Sequence, residues 1–246
     1  MHRSITRTGC STTLLALLMC GLSTSLASAG SKIEGILSKP VSLDHRLEKD
    51  TSLKDAMSFL SKRCGVKVVI NRSEFKDQQK ILNIEDVPVR LRPLPPGVHL
   101  GLIIELLSKQ IEGTYKIERD HIEIVPLQKG KRNPAPDLKM SKEELDKFRK
   151  KMQKLVTLNK GIDKNTPLQD VVEFLSDRFD LAIIVDSAEF RLLAVADNVE
   201  DAPISLPPQK DVPVEKVIEQ VAGQLNGDYV IKGGAVVLVP EKKAKN

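Results

Sequence analysis

The stretch TSLKDAMSFL (51–60) returns 115 positions later as TPLQDVVEFL (166–175). In the first, Leu53, Ala56, Met57 and Leu60 recur at i, i+3, i+4 and i+7; in the second, Leu168, Val171, Val172 and Leu175 do the same. Each is one apolar stripe with a polar back, the pattern of a helix lying on a sheet. Thr51 and Thr166 take the N-cap position, where a hydroxyl accepts an orphan backbone N–H. Pro167 at the first helical position and Gln169 two residues later add a capping box in the second copy. Asp55 and Asp170 fall in the first turn, where the helix dipole favours an acid, so both read as structural rather than catalytic.

The correspondence continues outward. Ser61, Arg63, Glu74 and Phe75 stand opposite Ser176, Arg178, Glu189 and Phe190. VKVVIN (66–71) faces LAIIVD (181–186), β-branched runs that predict strands. Asn83, Glu85, Asp86, Pro88, Leu91 and Pro93 face Asn198, Glu200, Asp201, Pro203, Leu206 and Pro208. The offset falls to 114 before Leu100, and TYKIERDHIEIVP (114–126) then faces DYVIKGGAVVLVP (228–240). Agreement over such a length is an internal duplication, and it sets the architecture before any single motif does.

Within each copy the spacing predicts the remaining elements. Val41 and Leu43, like Val156 and Leu158, alternate with polar neighbours and open the copy with a short half-buried strand. Gly65 predicts a helix C-cap and Asp180 a weaker stop. Residues 72–87, with LLAVA (192–196) opposite part of them, read as a connection without assigned structure. VRL (89–91) and ISL (204–206) predict short strands. A second helix begins near Leu100 and Val214. Its apolar face is Leu100, Ile103, Ile104, Leu107 and Ile111 in one copy, and Val214, Val217, Ile218, Val221 and Leu225 in the other. Gly113 and Gly227 are expected to stop it. A hairpin closes each copy, and Gly233-Gly234 predicts a type I′ turn. The fold class is therefore α/β, of the α+β kind. It has two tandem duplicated units, each β-α-β followed by β-α-β-β, with helices packed on a small mixed sheet.

Outside the copies, Arg3 and Arg7 precede the apolar run LLALLMC (14–20), and Ala27-Ser28-Ala29 has the small-residue pattern of a signal peptidase site. Residues 1–29 are expected to be a signal peptide cleaved near Ala29, which places the mature chain in the periplasm. The run is too short for an ordinary span, so no transmembrane segment is expected in the mature chain. Residues 30–40 read as a short leader, 41–126 as the first unit and 127–140 as a linker carrying the polar, Pro-broken KGKRNPAPD (129–137). SKEELDKFRKKMQKL (141–155) pairs Ser141 with Glu144 as a capping box and aligns Leu145, Phe148, Met152 and Leu155. It is expected to be a connecting helix packed on the second copy. The second unit covers 156–240 and a basic tail 241–246 follows. Each half, cut near Pro134, is expected to fold by itself.

The chain carries little that points to chemistry. Loss of Arg3 and Arg7 with the signal takes the formal charge from +5 to +3, and Lys alternates with Glu and Asp throughout. This is a mixed, solvated surface rather than a nucleic-acid footprint, and no nucleic-acid partner is expected. Cys10 and Cys20 leave with the signal, and Cys64 remains as a packed thiol opposite Phe179. His45, His99 and His121 lack metal-ligand spacing. Glu74 with Glu189, and Glu85-Asp86 with Glu200-Asp201, are repeated carboxylates that read as loop acids rather than a hydrolytic pair. No catalytic residue, cofactor or metal ligand is assigned, and no enzyme activity is expected.

The arrangement V-x-L, then T-x-L-x-D, then F-L and a β-branched strand, at Val41–Asn71 and Val156–Asp186, resembles the short N-terminal domain shared by secretins and TonB-dependent transporters. Val89–Val125 and Ile204–Val239 resemble the same half-pattern, so four related half-units cover most of the mature chain. The resemblance implies a periplasmic module that makes subunit or signalling contacts and has no catalytic or cofactor residues. No secretin pore, plug or β-barrel follows residue 240, so a free-standing, non-catalytic protein-interaction module of the cell envelope is expected. Its partner would be protein: self or an envelope complex. The alternatives are a scaffold or assembly subunit of a secretion or transport system, and a peptide- or glycan-binding protein.

Overall fold

The structure is a computed structural model that describes residues 26–43, 51–90, 94–128, 136, 140–193 and 198–241. The first unit runs α1 (Leu26–Leu37), β1 (Pro40–Leu43), α2 (Leu53–Cys64), β2 (Val68–Ile70), α3 (Arg72–Gln79), a 3-10 turn (Ile84–Asp86), β3 (Leu94–His99), α4 (Leu100–Gln110), β4 (Gly113–Ile117) and β5 (Ile122–Pro126). The second repeats that order, with one more pair of strands. It runs α5 (Lys142–Met152), β6 (Leu155–Leu158), β7 (Ile162–Pro167), α6 (Leu168–Phe179), β8 (Ile183–Val185), α7 (Ser187–Leu192), a 3-10 turn (Val199–Asp201), β9 (Pro203–Leu206), β10 (Gln209–Pro213), α8 (Val214–Gln224), β11 (Gly227–Lys232) and β12 (Ala235–Pro240).

The α+β class stands, and so does the mixed sheet. In each unit a three-stranded sheet pairs the strand after α2 or α6 parallel to the last strand, which in turn pairs antiparallel with its hairpin mate: β2-β5-β4 and β8-β12-β11. A two-stranded antiparallel ribbon sits apart from it, β1 with β3 and β6 with β10. The further ribbon β7–β9 has its counterpart in the Ser52–Pro88 bridge of the first unit. Gly233 and Gly234 both have positive φ, as the type I′ turn requires. In the first unit the paired strands end at Ile117 and Ile122, and Glu118 N–H donates to the His121 carbonyl at 2.9 Å across Arg119-Asp120.

The stripes fall where the periodicity put them. Leu53, Ala56, Met57, Leu60, Leu168, Val171 and Leu175 are buried, and each large one contributes about 1.5–3 kcal/mol. The caps shift by one residue. Ser52, not Thr51, accepts the Asp55 N–H at 3.1 Å, while Pro167 occupies the N-cap of α6 and leaves no side-chain cap. The hydroxyl of Thr166 instead donates to the Asp163 carbonyl. In both units the first helical N–H goes to the neighbouring turn: Leu53 donates to Val87 O and Leu168 to Ala202 O, both at 2.9 Å. Those bonds begin the helix one residue later than a hydroxyl cap would.

The second helices end at Ile111 and Leu225, and the left-handed residues are Glu112 and Asn226 rather than the glycines that follow. Gly113 and Gly227 serve close approach instead. A Cβ on Gly113 would lie 3.0 Å from Val125 O and 3.1 Å from Phe75 Cζ; on Gly227 it would lie 2.7 Å from Val239 O and 3.1 Å from Phe190 Cζ. The unassigned connections are the helices α3 and α7, each packed by one buried Phe, Phe75 or Phe190. Asn71 and Asp186 cap them, accepting the N–H of Glu74 and Glu189 at 3.1 Å.

At the N-terminus, the segment 30–40 is not a leader. It is helical through Leu37, and Ile33 and Leu37 are buried in the first core. These positions match Phe148 and Met152 of α5, so 142–152 is the first helix of the second unit rather than a connector. The Ser141–Glu144 capping box is present. Leu155 leaves the stripe: it starts β6 and is 64% exposed. The helix α1 also runs across the expected cleavage point at Ala29. Residues 1–25, with the expected signal run, His45, VRL beyond Arg90, most of LLAVA and 242–246 lie outside the described residues.

The two units share a core. Ala182, Ile184, Ala235 and Val237 of the second unit belong to the apolar cluster built mainly from the first. The expectation of two halves that fold alone did not anticipate this shared cluster. The strand alternation explains it. Ile183, Val236 and Leu238 point into the second unit's own core, so Ile184 and Val237, one residue over, point out of the opposite face. Helix α4 covers that face.

Candidate functional site

Among the described residues, the seam between units and an open strand edge in the first unit bring charged side chains together.

At the seam, α4 lies between its own sheet and the sheet of the second unit. Every residue from Leu100 to Ser108 is buried, including Glu105. The His99 N–H donates to Gly233 O at 2.8 Å, so the second unit's turn meets the start of α4. A Cβ on Gly234 would lie 2.1 Å from Gly97 O, and one on Gly233 would lie 2.8 Å from Leu102 Cβ, so only glycine fits either position. At the other end of α4, the Lys109 ammonium donates to Asp186 at 2.5 Å and to Glu189 at 3.2 Å. Lys232 reaches back to Glu105 at 2.5 Å. Burial opposes the charge on Lys109, but Asp186, Glu105 and Glu189 outweigh it and raise the pKa, so the ammonium stays charged. Burial pulls the Asp186 carboxyl upward against Lys109. Asp186 thus caps α7 through one oxygen and holds α4 through the other. Tyr115 is buried nearby, and burial together with Glu105 holds its hydroxyl protonated.

His99 is 2% exposed, with Nε2 3.6 Å from Glu144 of α5 and Nδ1 without a partner among the described residues. Burial lowers its pKa from the ordinary 6.5, with Glu144 opposing. The Ser141 backbone and hydroxyl bonds keep the Glu144 carboxyl low.

The second place is a groove of about 450 Å³ between α2 and β2. Met57, Ser58 and Ser61 form its helical wall and Val68–Ile70 its strand wall. The strand β2 is the edge of its sheet. Ile122 N–H bonds Lys67 O and Asn71 N–H bonds Ile124 O, so the backbone groups of Val69 face β5 and those of Val68 and Ile70 face outward. Arg72 meets Glu85 at 2.5 Å, Lys54 approaches the same oxygen at 4.0 Å, and both cations are mostly exposed. The matching strand β8 is also an edge, but Ile183, Ile184 and Ser176, which stands where the first unit has Ser61, are buried, and Val185 is half-buried.

The repeated carboxylates do not converge. Glu74 accepts from Asn71 at 3.1 Å at the start of α3, Glu189 joins Lys109, Glu85 joins Arg72, and Glu200 accepts from Ser187 at 2.9 Å. Asp55 bonds Ser52 at 2.7 Å, and Asp170 is exposed in the first turn of α6. His121 lies against Asp120 at a loop, apart from His99. Cys64 packs at the edge of the first core, and burial raises its pKa, which keeps it a thiol. Among the described residues no three His, Cys, Asp or Glu side chains could hold a metal ion, and no helix is long and apolar enough to cross a membrane. Sequence reasoning missed Lys109, Glu105, Asp186 and Lys232. Their signal was available as charges in α4 and at strand ends whose counterparts, Gly223 and Asn71 for Lys109 and Asp186, carry no charge. Comparison with family models, with curated proteins and with solved structures finds no match to this chain.

Proposed function

We propose that the chain is an exported, non-catalytic protein-interaction module of the cell envelope. The observation that carries the reading is the open edge of β2 beside its groove, in a molecule whose other helix-covering face is already used between its own units. An open strand edge is a template for another chain, and proteins that do not use one normally cover or blunt it. The resemblance to envelope modules that make subunit or signalling contacts supports the same reading, as does the apolar run LLALLMC (14–20) behind Arg3 and Arg7.

The partner is proposed to be a different protein rather than a second copy stacked through the seam's geometry. Such a copy would set α8 on the sheet β2-β5-β4. Glu219, the counterpart of Glu105, would then face Glu118, the counterpart of Lys232. Lys216, the counterpart of Leu102, would face Arg119, the counterpart of Gly233. Like charges set against each other cost affinity and suppress that partner.

The test is fractionation of cells expressing the full chain, combined with a photo-crosslinking residue at Ser58 or, as a control, at Gln220. Processed protein in the envelope fraction, crosslinked to a distinct protein, is expected. Recovery in the cytosol at full length, or crosslinks to itself only, would overturn the proposal.

A further inference from the structure

Resting on that reading, we infer that the first unit binds an extended segment of its partner as a fourth strand along β2, one that brings an apolar side chain to Met57 and a carboxylate to Lys54 and Arg72. The backbone supplies the first argument. Val68 and Ile70 direct their N–H and C=O groups away from β5, so the sheet β2-β5-β4 ends in a row of donors and acceptors at strand spacing. Main-chain bonds of this kind give affinity in strand addition, while pockets for alternate side chains give specificity.

The groove supplies the second. It runs beside that edge and is walled on its far side by α2, where Ser58 and Ser61 are small and flank Met57. The small serines leave room above Met57 for one side chain of an incoming strand. Three residues of such a strand span about 10 Å, the length of β2.

Charge supplies the third and sets the chemistry of the occupant. Lys54 and Arg72 share the single carboxylate of Glu85, which leaves one positive charge in surplus at the groove. A carboxylate on the incoming segment would answer it, and because alternate residues of a strand share a face, that acid and the apolar residue would stand two positions apart. The second unit shows what the absence of the site looks like. Gln169 and Ser187 stand where the first unit has Lys54 and Arg72, the Ser187 hydroxyl is spent on Glu200, and Ile183 and Ser176 are buried. Duplication thus produced two edges, and the first carries a groove with a basic rim where the second has Gln169 and Ser187.

The probe is a displayed library of random octapeptides selected on the full chain, followed by amide hydrogen exchange with the enriched peptides. Enriched sequences are expected to carry an apolar and an acidic residue two positions apart and to slow exchange at the Val68 and Ile70 amides. Val68→Pro removes an outward N–H while leaving the bonds to β5, since proline is tolerated on an edge with its nitrogen outward. It should weaken those peptides by about tenfold, the size of one or two lost backbone bonds. Ser58→Trp fills the groove while leaving the sequence of the strand unchanged and should abolish binding, which covers the case in which the proline disturbs folding. Arg72→Glu should turn the preference from acidic to basic sequences.

The inference is overturned if no octapeptide is enriched, if enriched peptides bind Ser58→Trp as tightly as the parent, or if the Val68 and Ile70 amides are protected only at concentrations where sedimentation shows a dimer, which would assign the edge to a second copy. Crosslinking to a distinct envelope protein from Gln220 but not from Ser58 would overturn the groove while leaving the interaction role standing.

Discussion

Helices α4 and α8 occupy the same place in two copies of one unit, and their surfaces differ. The inner faces agree: Leu100, Ile103, Ile104 and Leu107 answer Val214, Val217, Ile218 and Val221, and all eight are buried. The outer faces do not. Leu102, Leu106 and Lys109 on α4 become Lys216, Gln220 and Gly223 on α8. The sheets differ in the complementary sense: Ala182, Ile184 and Val237 on the outer face of the second correspond to Lys67, Val69 and Glu123 on the first. Duplicated elements kept what each copy needs for its own core. They diverged only where one copy meets the other and where the same two faces are left to water.

Breaking the lock at the seam should have the largest effect. Lys109→Ala leaves Asp186 buried without its cation and should cost about 3–5 kcal/mol, whereas Gly223→Lys at the matching place on α8 should cost almost nothing. Chemical denaturation of both variants checks this pair. Next come the equivalent core residues: Leu60→Ala and Leu175→Ala should each cost about 2–5 kcal/mol. Because the units share a core, both should lower one cooperative transition in calorimetry, and two separate transitions would show that the seam does not couple the units.

A turn substitution sharpens the comparison further. Gly234→Ala would force a methyl group toward the Gly97 carbonyl in a left-handed conformation and should uncouple the units, while Asp120→Ala in the first unit's loop should leave the melt unchanged.

His99 gives a pH dependence. Its folded pKa is depressed, so the unfolded chain takes up a proton near pH 6.5 while the seam resists it, and stability falls as the pH drops below that value. His99→Gln should flatten that part of the profile, measured as melting temperature between pH 7.5 and 5. The smallest effects belong to the first-turn acids. Asp55→Asn and Asp170→Asn should each cost on the order of 0.3–1 kcal/mol, with Asp55 the larger because it also accepts from Ser52.

What could be read from the sequence followed from periodicity. The stripes of α2 and α6 and the Gly-Gly hairpin are long or sharp signals, and they placed the corresponding elements within a residue or two. The helices α3 and α7 escaped because they are short, polar and buried through a single Phe. Their trace was the spacing Asn71-x-x-Glu74 and Asp186-x-x-Glu189, which reads as a capping box only once a helix is suspected. Helix α1 escaped because its small residues at Ala27–Ala29 resemble a processing site. Aligning Ile33 and Leu37 with Phe148 and Met152 would have extended the duplication back to it. The seam escaped for a different reason. A helix that is apolar nearly all round announces a second neighbour, yet only one face of α4 was counted, and Leu102 and Leu106 were left out. The open edge of β2 could not be read at all, because strand order decides it and these short runs do not encode order.

The turn at Gly233-Gly234 carries one more implication. Its two missing side chains make room for the backbone at Gly97, whereas the matching Arg119 and Asp120 would fill that space. The fit therefore runs in one direction along the chain: the helix of the earlier copy enters the turn of the later one. A transposed gene, with 140–241 placed ahead of 26–128, would encode every helix and strand unchanged. Unless its linker let the copies close in the original sense, it would yield two units with no surface in common.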